Sequence, residues 1–387
     1  MNGFFKLYNR VRGIGSAFTL FCIILISSIL AGTDSFPFHN ITEAADTPQS
    51  QDQENDEIPE EFLKTPREYF ETDVAALISI NQPEDVARVR NKLRLFLFGQ
   101  QDLPATLPET ITRDHADPRY EDIASLERID RLIVAMDYGL ESQVYHFIPE
   151  NPNHKVVLYH QGHRDDFIQG KEQITALLAE GYAVAAFSMP LLGPNNQPTV
   201  QLPRIGRLKL TTHDHMKFLS PETGHPVKYF IEPVVSVVNY LGERYAYMSI
   251  SMVGISGGGW TTTLAAAVDP RIAKSFPVAG SYPIYLRSNS QRDWGDFEQT
   301  VPELYTAVNY PELYILSAYG EHRQQLQIIN QFDSCCFAGT KWETYKDVVR
   351  TRVRTLGAGE FDLYLDDSHK EHKISQAAMS RILDALD

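Results

Sequence analysis

One pentapeptide constrains the fold of this chain more than any other feature: Gly254-Ile255-Ser256-Gly257-Gly258. A strand-like run, Met248 to Ile255, leads into it, and a helix-forming run, Thr261 to Val268, follows it. A serine on so sharp a turn takes a strained backbone, which is possible only where its neighbours are as small as glycine. The pattern predicts a serine hydroxyl above a sheet, at the positive end of a helix.

Other glycine-rich turns also join a strand to a helix, either to pack the two elements closely or to cradle a phosphate. The turn around Ser256 has no G-K-[ST] ending, which a P-loop requires, and no G-x-G-x-x-G, which a dinucleotide-binding loop requires. The sequence therefore favours a nucleophilic serine over a phosphate cradle.

Strand-like and helix-like segments alternate along most of the chain, which is typical of a doubly wound, mostly parallel sheet covered by helices on both faces. The predicted strands are 126–136, 143–149, 155–159, 182–187, 248–255, 274–279, 313–319 and 361–365. The predicted helices are two within 68–98, the second at 84–97, and then 170–179, 229–243, 261–268, 341–356 and 375–386. We predict an α/β fold whose ligands bind at the carboxyl ends of the strands.

The N-terminal segment differs from the rest. Residues 14–32 carry no charge and span roughly 28 Å as a helix, and basic residues precede them. We predict a signal anchor or a cleaved signal peptide at 1–32, so that the remainder is exported. Residues 33–62 are acidic and polar, typical of a disordered linker. A single domain at 63–387 follows, with a helical extension at 63–122.

Charge and cysteine content exclude some functions. With 35 Lys and Arg against 50 Asp and Glu, the net charge of −15 disfavours nucleic-acid binding. Three cysteines, two of them adjacent at 335 and 336, form no disulfide framework and no spaced zinc site. Because a disulfide between neighbours is strained, we expect Cys335 and Cys336 to pack beside their loop.

Three further segments complete a family resemblance that covers roughly residues 123–386. They are His160-Gln161-Gly162-His163 after the third strand, Ala267-Val268-Asp269-Pro270-Arg271-Ile272, and His372-Lys373-Ile374-Ser375 before the last helix. With the Ser256 turn, they make the sequence similar to the α/β-hydrolase superfamily, closest to its esterase, dienelactone-hydrolase and prolyl-oligopeptidase-like branches. Gln161 departs from the family by interrupting the usual His-Gly pair.

This resemblance implies a Ser-His-acid triad with Ser256 as the nucleophile and a histidine near the C-terminus as the base. We predict His372 in that role, with His369 as the alternative. The resemblance also implies two backbone N–H donors for the oxyanion, those of Gly257 and His163, with Gln161 or Gly162 as alternatives to His163. The side chains of His163 and Asp165 are expected to be ordinary polar groups of the loop.

The acid is open between two main candidates. Asp333 lies 39 residues before His372, close to the spacing usual in the family. Glu321 directly follows the predicted strand 313–319, where the family usually places its acid. We predict Asp333, with Glu321 next and Asp366 or Asp367 after it.

No cofactor and no metal are expected. The excursion 189–228 lies where such enzymes build a substrate pocket, and it contains Thr212-His213-Asp214-His215. Two histidines and an aspartate in successive positions cannot all face one ion on a regular strand or helix, so we predict a non-metal role for them.

The expected function is that of a serine hydrolase which cleaves a carboxylic ester through an acyl-enzyme. Its substrate would be a small-molecule, carbohydrate or lipid ester, with membrane contact only through the N-terminal segment and the oligomeric state open. A prolyl-oligopeptidase-like peptidase is less favoured, because only about sixty folded residues precede Ile123, too few for a propeller. A non-catalytic binding module of the same fold is the alternative from another class.

Overall fold

The computed structural model describes residues 58–164, 166–287 and 293–387. These described residues belong to one compact unit. The predicted anchor at 1–32, the linker up to residue 57 and Asp165 lie outside the described residues. Within the described part, no helix has both the length and the apolar character needed to cross a bilayer.

Nine strands of the described residues form one sheet in the order β1-β2-β3-β5-β4-β8-β9-β10-β11, and two more, β6 and β7, form a small hairpin. The strands are β1 (Thr110–Thr112), β2 (Leu126–Ala135), β3 (Glu141–Pro149), β4 (Lys155–His160), β5 (Ala183–Phe187), β6 (Thr199–Leu202), β7 (Gly206–Lys209), β8 (Ser249–Ile255), β9 (Ile272–Val278), β10 (Gln324–Asn330) and β11 (Glu360–Asp366).

The large sheet is antiparallel at one edge and parallel elsewhere. Strands β1, β2, β3 and β5 pair antiparallel, whereas β5, β4, β8, β9, β10 and β11 pair parallel. The chain order reverses at β4, which lies between β5 and β8. Because the carboxyl ends of parallel strands share one edge, the segments after β4, β8 and β10 all emerge there.

Helices cover both faces of this sheet. They are α1 (Glu60–Leu63), α2 (Pro83–Phe98), α3 (Lys171–Ala179), α4 (Lys228–Arg244), α5 (Gly257–Val268), α6 (Pro302–Ala307), α7 (Tyr310–Ala318), α8 (Lys346–Thr355) and α9 (Gln376–Leu386). Alternate residues of β4 separate the two cores. Val156 and Leu158 pack with α2, α4, α5, α7 and α8, whereas Val157 and Tyr159 pack with α3 and α9. The predicted α/β class with a mostly parallel sheet is confirmed.

The predicted strand 313–319 is wrong, because this segment lies in helix α7. The strand that follows in the sheet is β10, which begins at Gln324. All nine residues of α7 are buried, and a helix that is apolar all round has no periodicity to distinguish it from a buried strand. Asn309 caps this helix by accepting a hydrogen bond from the N–H of Glu312 at 3.1 Å.

The N-terminal extension packs on the helix that follows Ser256. Of the two helices predicted within 68–98, the second is α2, but the first is replaced by short 3₁₀ turns at Arg67–Glu71 and Ala75–Leu77. The guanidinium of Arg90 donates to the carbonyls of Ala267 and Leu316, each at 2.9 Å. The extension therefore satisfies carbonyls at the C-termini of α5 and α7 that have no partner within their own helix.

Candidate active site

Ser256 lies in the strained turn that the sequence predicts. Its φ of 57° and ψ of −125° fall in a region that residues with a side chain rarely adopt. Its N–H donates to the carbonyl of Val278 at 2.9 Å, and its carbonyl accepts from the N–H of Trp260 at 3.0 Å. Strand β9 on one side and helix α5 on the other therefore hold the serine in this conformation.

The glycines around Ser256 are required by close backbone contacts. A Cβ on Gly254 would lie 2.3 Å from the carbonyl oxygen of Gly258, and a Cβ on Gly258 would lie 2.1 Å from the carbonyl oxygen of His160. Neither contact is possible for a larger residue without moving the backbone. The strand, the turn and the loop after β4 therefore touch one another at this point.

The loop 160–163 lies directly beside the serine. A Cβ on Gly162 would be 2.6 Å from the Cβ of Ser256. The N–H of Gln161 donates to the carbonyl of Phe187 at 2.9 Å, which removes Gln161 from the candidates for the second oxyanion donor. Gly162 and His163 stay as candidates in this loop, beside the N–H of Gly257 at the start of α5.

Asp333 and His372, which are far apart in the sequence, are hydrogen-bonded. Nδ1 of His372 lies 2.7 Å from Oδ2 of Asp333, and Asp333 has no exposed surface. The N–H of Cys335 donates to Oδ1 of Asp333 at 2.7 Å, and the amide of Asn330 donates to Oδ2 at 3.1 Å. Burial raises the pKa of Asp333, but the bond with His372 and these other donors outweigh it and leave the pKa below its ordinary value.

The other ring nitrogen of His372, Nε2, is free of hydrogen bonds within the described residues. Nε2 is buried and has no hydrogen-bond partner among the described residues, so it is not bonded to the hydroxyl of Ser256 in this conformation. Asp333 accepts from Nδ1–H, which leaves Nε2 with the lone pair that a base needs. Catalytic hydrogen bonds are often long before substrate binds.

The alternative histidine and the alternative acids lie elsewhere. Nε2 of His369 lies 3.4 Å from Oδ2 of Asp366, and Asp366 accepts hydrogen bonds from Ser368 and Ser375. Glu321 is exposed and precedes β10, so it lies toward the amino end of that strand. The structure brings Asp333 to His372 and brings neither Glu321 nor Asp366 to it.

Two features of this loop were missed by the sequence reasoning. The side-chain amide of Asn330 also donates to the carbonyl of Lys373 at 2.9 Å, so it connects the acid's turn to the segment that carries His372. Cys335 and Cys336, which we expected only to pack beside the loop, are joined by a disulfide. Nothing in the sequence marks Asn330, because its partners are defined only by the folded loop.

His163 has a larger role than that of an ordinary polar residue of the loop. Its Nε2 lies 2.7 Å from Oδ2 of Asp296 and 3.2 Å from Oε1 of Glu298. Burial lowers the pKa of His163, but these two carboxylates outweigh it and raise the pKa to about 10. His163, His213, Asp296 and Glu298 place one ligand atom each within 4.8 Å of one another, and Cys335, Cys336 and His372 do the same.

A comparison with solved structures identifies the fold of this chain. No protein-family model and no curated protein matches the sequence. Acetyl xylan esterase 1 from Thermoanaerobacterium sp. JW/SL YS485 aligns with a TM-score of 0.52 at 12% identity, over 84% of this chain and 100% of that one. The alignment supports the predicted resemblance at the level of architecture, and the chain has the α/β-hydrolase fold.

Two further structures align less well. An acetyl xylan esterase from Paenibacillus sp. R4 has a TM-score of 0.49 at 14% identity, over 81% of this chain and 99% of that one. The Pyrococcus furiosus esterase Pf2001 has a TM-score of 0.48 at 17% identity, over 73% of this chain and 98% of that one. We draw no conclusion from these two.

Proposed function

We propose that this protein is a serine hydrolase that cleaves a carboxylic ester through an acyl-enzyme intermediate. The observation that carries the proposal is the hydrogen bond between Asp333 and His372, at the same edge of the sheet as the strained Ser256. A serine hydroxyl is nearly unreactive at neutral pH, so it needs an imidazole to take its proton and a carboxylate to orient that imidazole. This chain has all three groups in the chain order Ser, Asp, His.

In the proposed reaction, Nε2 of His372 takes the proton of Ser256 as its oxygen attacks the ester carbonyl. The tetrahedral oxyanion is bound by the N–H of Gly257, and the second donor is the N–H of His163. His372 then gives its proton to the leaving alcohol, and the acyl group stays on Ser256. Water, deprotonated by the same Nε2, attacks the acyl-enzyme and releases the acid.

An ester is the proposed substrate because the Thermoanaerobacterium protein that shares the fold is an acetyl xylan esterase. Small-molecule, carbohydrate and lipid esters all fit the proposal. We also propose that residues 1–32 anchor the protein to a membrane or direct its export, which follows from their hydropathy and basic flank alone.

Labelling with a fluorophosphonate probe tests the nucleophile. We expect covalent modification of the full-length protein at Ser256 and none in Ser256→Ala. Ser251→Ala is a suitable control, because Ser251 is buried in β8, five residues before the turn. Labelling that persists in Ser256→Ala would refute the nucleophile, and a wild-type protein that is never labelled would favour a binding module.

Substrate preference is tested separately with chromogenic acyl esters of increasing chain length and with matched anilides. We expect turnover of one or more esters and much slower turnover of the anilides. Faster cleavage of an anilide than of its matched ester would instead indicate a peptidase.

A further inference from the structure

Four side chains meet beside the proposed active site, and the proposed reaction does not use them together. His163 follows β4, His213 begins the 3₁₀ turn His213–Phe218, and Asp296 and Glu298 belong to the turn around Phe297–Gln299. One ligand atom from each of the four lies within 4.8 Å of the other three. We propose that His163, His213, Asp296 and Glu298 bind one divalent transition-metal ion of the zinc class.

Glu298 supplies the first argument. The residue has no exposed surface, and its Oε2 has no hydrogen-bond donor among the described residues. The same oxygen lies 3.3 Å from Nδ1 of His213 and is therefore directed into the cluster. A fully buried carboxylate oxygen without a donor is costly, and a cation at this point would satisfy it.

His213 supplies the second argument, because its tautomer is fixed. Its Nε2 lies 3.0 Å from the carbonyl oxygen of Pro190, and a carbonyl only accepts, so Nε2 carries the hydrogen. In the neutral ring, Nδ1 then presents a lone pair to Oε2 of Glu298, which is also an acceptor. Metal-binding histidines typically donate their other N–H to a carbonyl in this way, and an ion between Nδ1 and Glu298 resolves the conflict.

Charge and spacing agree with such an ion. Within the described residues, the ion pairs of Asp296 and Glu298 are made with His163 and His213. Binding of a divalent ion displaces the Nε2 proton of His163, after which the two carboxylates and the ion balance with both imidazoles neutral. Zinc bonds of about 2.0–2.2 Å place tetrahedral ligand atoms roughly 3.4 Å apart. His163 lies 3.2 Å from Oε1 of Glu298 and His213 lies 3.3 Å from its Oε2, whereas the 2.7 Å between His163 and Asp296 would have to lengthen when an ion binds. Two imidazoles and two carboxylates favour zinc over magnesium or calcium.

The sequence predicts a non-metal role for His213, Asp214 and His215, and the proposed site departs from that expectation at His213. Asp214 is 70% exposed and pairs with Lys217, and Nδ1 of His215 accepts from the N–H of Thr211, so these two stay outside the site. The proposed site takes only His213 from this turn and draws its other ligands from distant segments, which the sequence spacing does not reveal.

The site adjoins Ser256 through the ring of His163. Cε1 and Nδ1 of this ring lie 2.4 and 2.7 Å from the position of a Cβ on Gly257. An ion held by Nε2 would therefore fix the loop that is proposed to supply the second oxyanion donor. Metal binding at this site does not require that the protein be a serine hydrolase. An experiment can therefore refute the metal site without refuting the proposed function, and the reverse.

The test uses the full-length protein, stripped with a chelator and then equilibrated with Zn²⁺. We expect one zinc ion per chain by elemental analysis after gel filtration. Zinc should bind at least about 100-fold more weakly in Glu298→Gln, which keeps the shape of the side chain and removes its charge. Asp214→Asn, which makes the same chemical change on the exposed neighbour of His213, should bind as the wild type does.

Two further measurements make the result decisive. Thermal unfolding without metal shows whether Glu298→Gln is folded, and His213→Gln is a second variant in case it is not. Co²⁺ in place of zinc should give the visible absorption of a tetrahedral site in the wild type and in Asp214→Asn, but not in the cluster variants. A wild type that retains no zinc, or equal affinity in Glu298→Gln, would overturn the site.

Discussion

The segment between β11 and α9 carries two histidines three residues apart, and each faces an aspartate in a different way. His372 is hydrogen-bonded to Asp333 at 2.7 Å. His369 lies 3.4 Å from Asp366, and neither of its ring nitrogens has a hydrogen-bond partner among the described residues. Both aspartates are fully buried, so burial does not separate the two pairs.

The hydrogen bonds of each aspartate separate the pairs. Asp333 accepts from backbone N–H groups with Oδ1 and offers Oδ2 to the ring of His372. Asp366 accepts from Ser368 and from the hydroxyl of Ser375, which in turn accepts from the N–H of Ala378 at the start of α9. One carboxylate orients an imidazole, and the other orders a loop and a helix terminus.

The largest predicted difference between the two pairs is that between the two histidine variants. We expect His372→Ala to lower kcat by about 10⁴-fold, because removing one triad member removes most of the effect of the triad. His369→Ala should lower kcat less than about fivefold, since this ring lies outside the proposed triad. Steady-state kinetics on the best chromogenic ester measures both effects. Equal, mild losses in the two variants would make the distinction between the pairs wrong.

Substituting the two aspartates tests whether one carboxylate acts in catalysis and the other in stability. Asp333→Asn should lower kcat by about 10³- to 10⁴-fold, because an amide no longer favours the tautomer with its lone pair on Nε2. Asp366→Asn should leave kcat within about tenfold and instead lower the free energy of unfolding by about 1–3 kcal/mol, because the amide has one acceptor oxygen and Ser368 and Ser375 bond to two. Chemical denaturation and kinetics on the same preparations separate the two effects. A larger loss of kcat in Asp366→Asn than in Asp333→Asn would reverse the assignment.

Asn330 should act as a positioning residue with a smaller effect. Its amide donates to Asp333 and to the carbonyl of Lys373. Asn330→Ala should lower kcat about tenfold with little change in KM, because one hydrogen bond to a charged group is lost and the substrate is not touched. A change in KM alone would show that the residue contacts the substrate pocket instead.

The smallest predicted effect is on the stability of the protein at acidic pH. The pKa of Asp333 and that of Asp366 are both lowered in the folded protein, since hydrogen bonds to each carboxylate outweigh its burial. Such groups stabilise the fold above their ordinary pKa of 3.8, and this stabilisation is lost as the pH falls through the lowered value. The free energy of unfolding of Asp333→Asn should therefore fall less than that of the wild type on acidification. Urea denaturation over a pH series measures it, with the exposed Glu321→Gln as the control, and equal slopes in all three proteins would contradict the prediction.

The sequence predicted those parts of the site that depend on local chemistry. The turn at Ser256 is encoded by its own glycines and by the residue types on either side. Choosing between Asp333 and Glu321 was harder, because the choice depended on where the preceding strand ends. Assigning β10 correctly removes the conflict, since Asp333 then follows the strand by three residues.

The segment predicted as the strand 313–319 is preceded by residues that favour the start of a helix. Asn309-Tyr310-Pro311-Glu312 has a capping asparagine, a proline in the first turn and a glutamate three residues after the cap, which together favour a helix start. By contrast, β10 begins with two glutamines. A third, Gln327, is buried, and its side-chain oxygen accepts a hydrogen bond from the hydroxyl of Tyr345. Partners of that kind come from tertiary packing and leave no trace in a single sequence. The same is true of the cluster around Glu298.

The position of the proposed base has a consequence for biosynthesis. His372 follows Ser256 by 116 residues in the sequence. Over that interval a growing polypeptide carries the nucleophile without the group that would activate it. In the proposed triad, acyl transfer begins only after His372 has been synthesised and has reached Asp333, so a shorter nascent chain should be inert toward the esters around it.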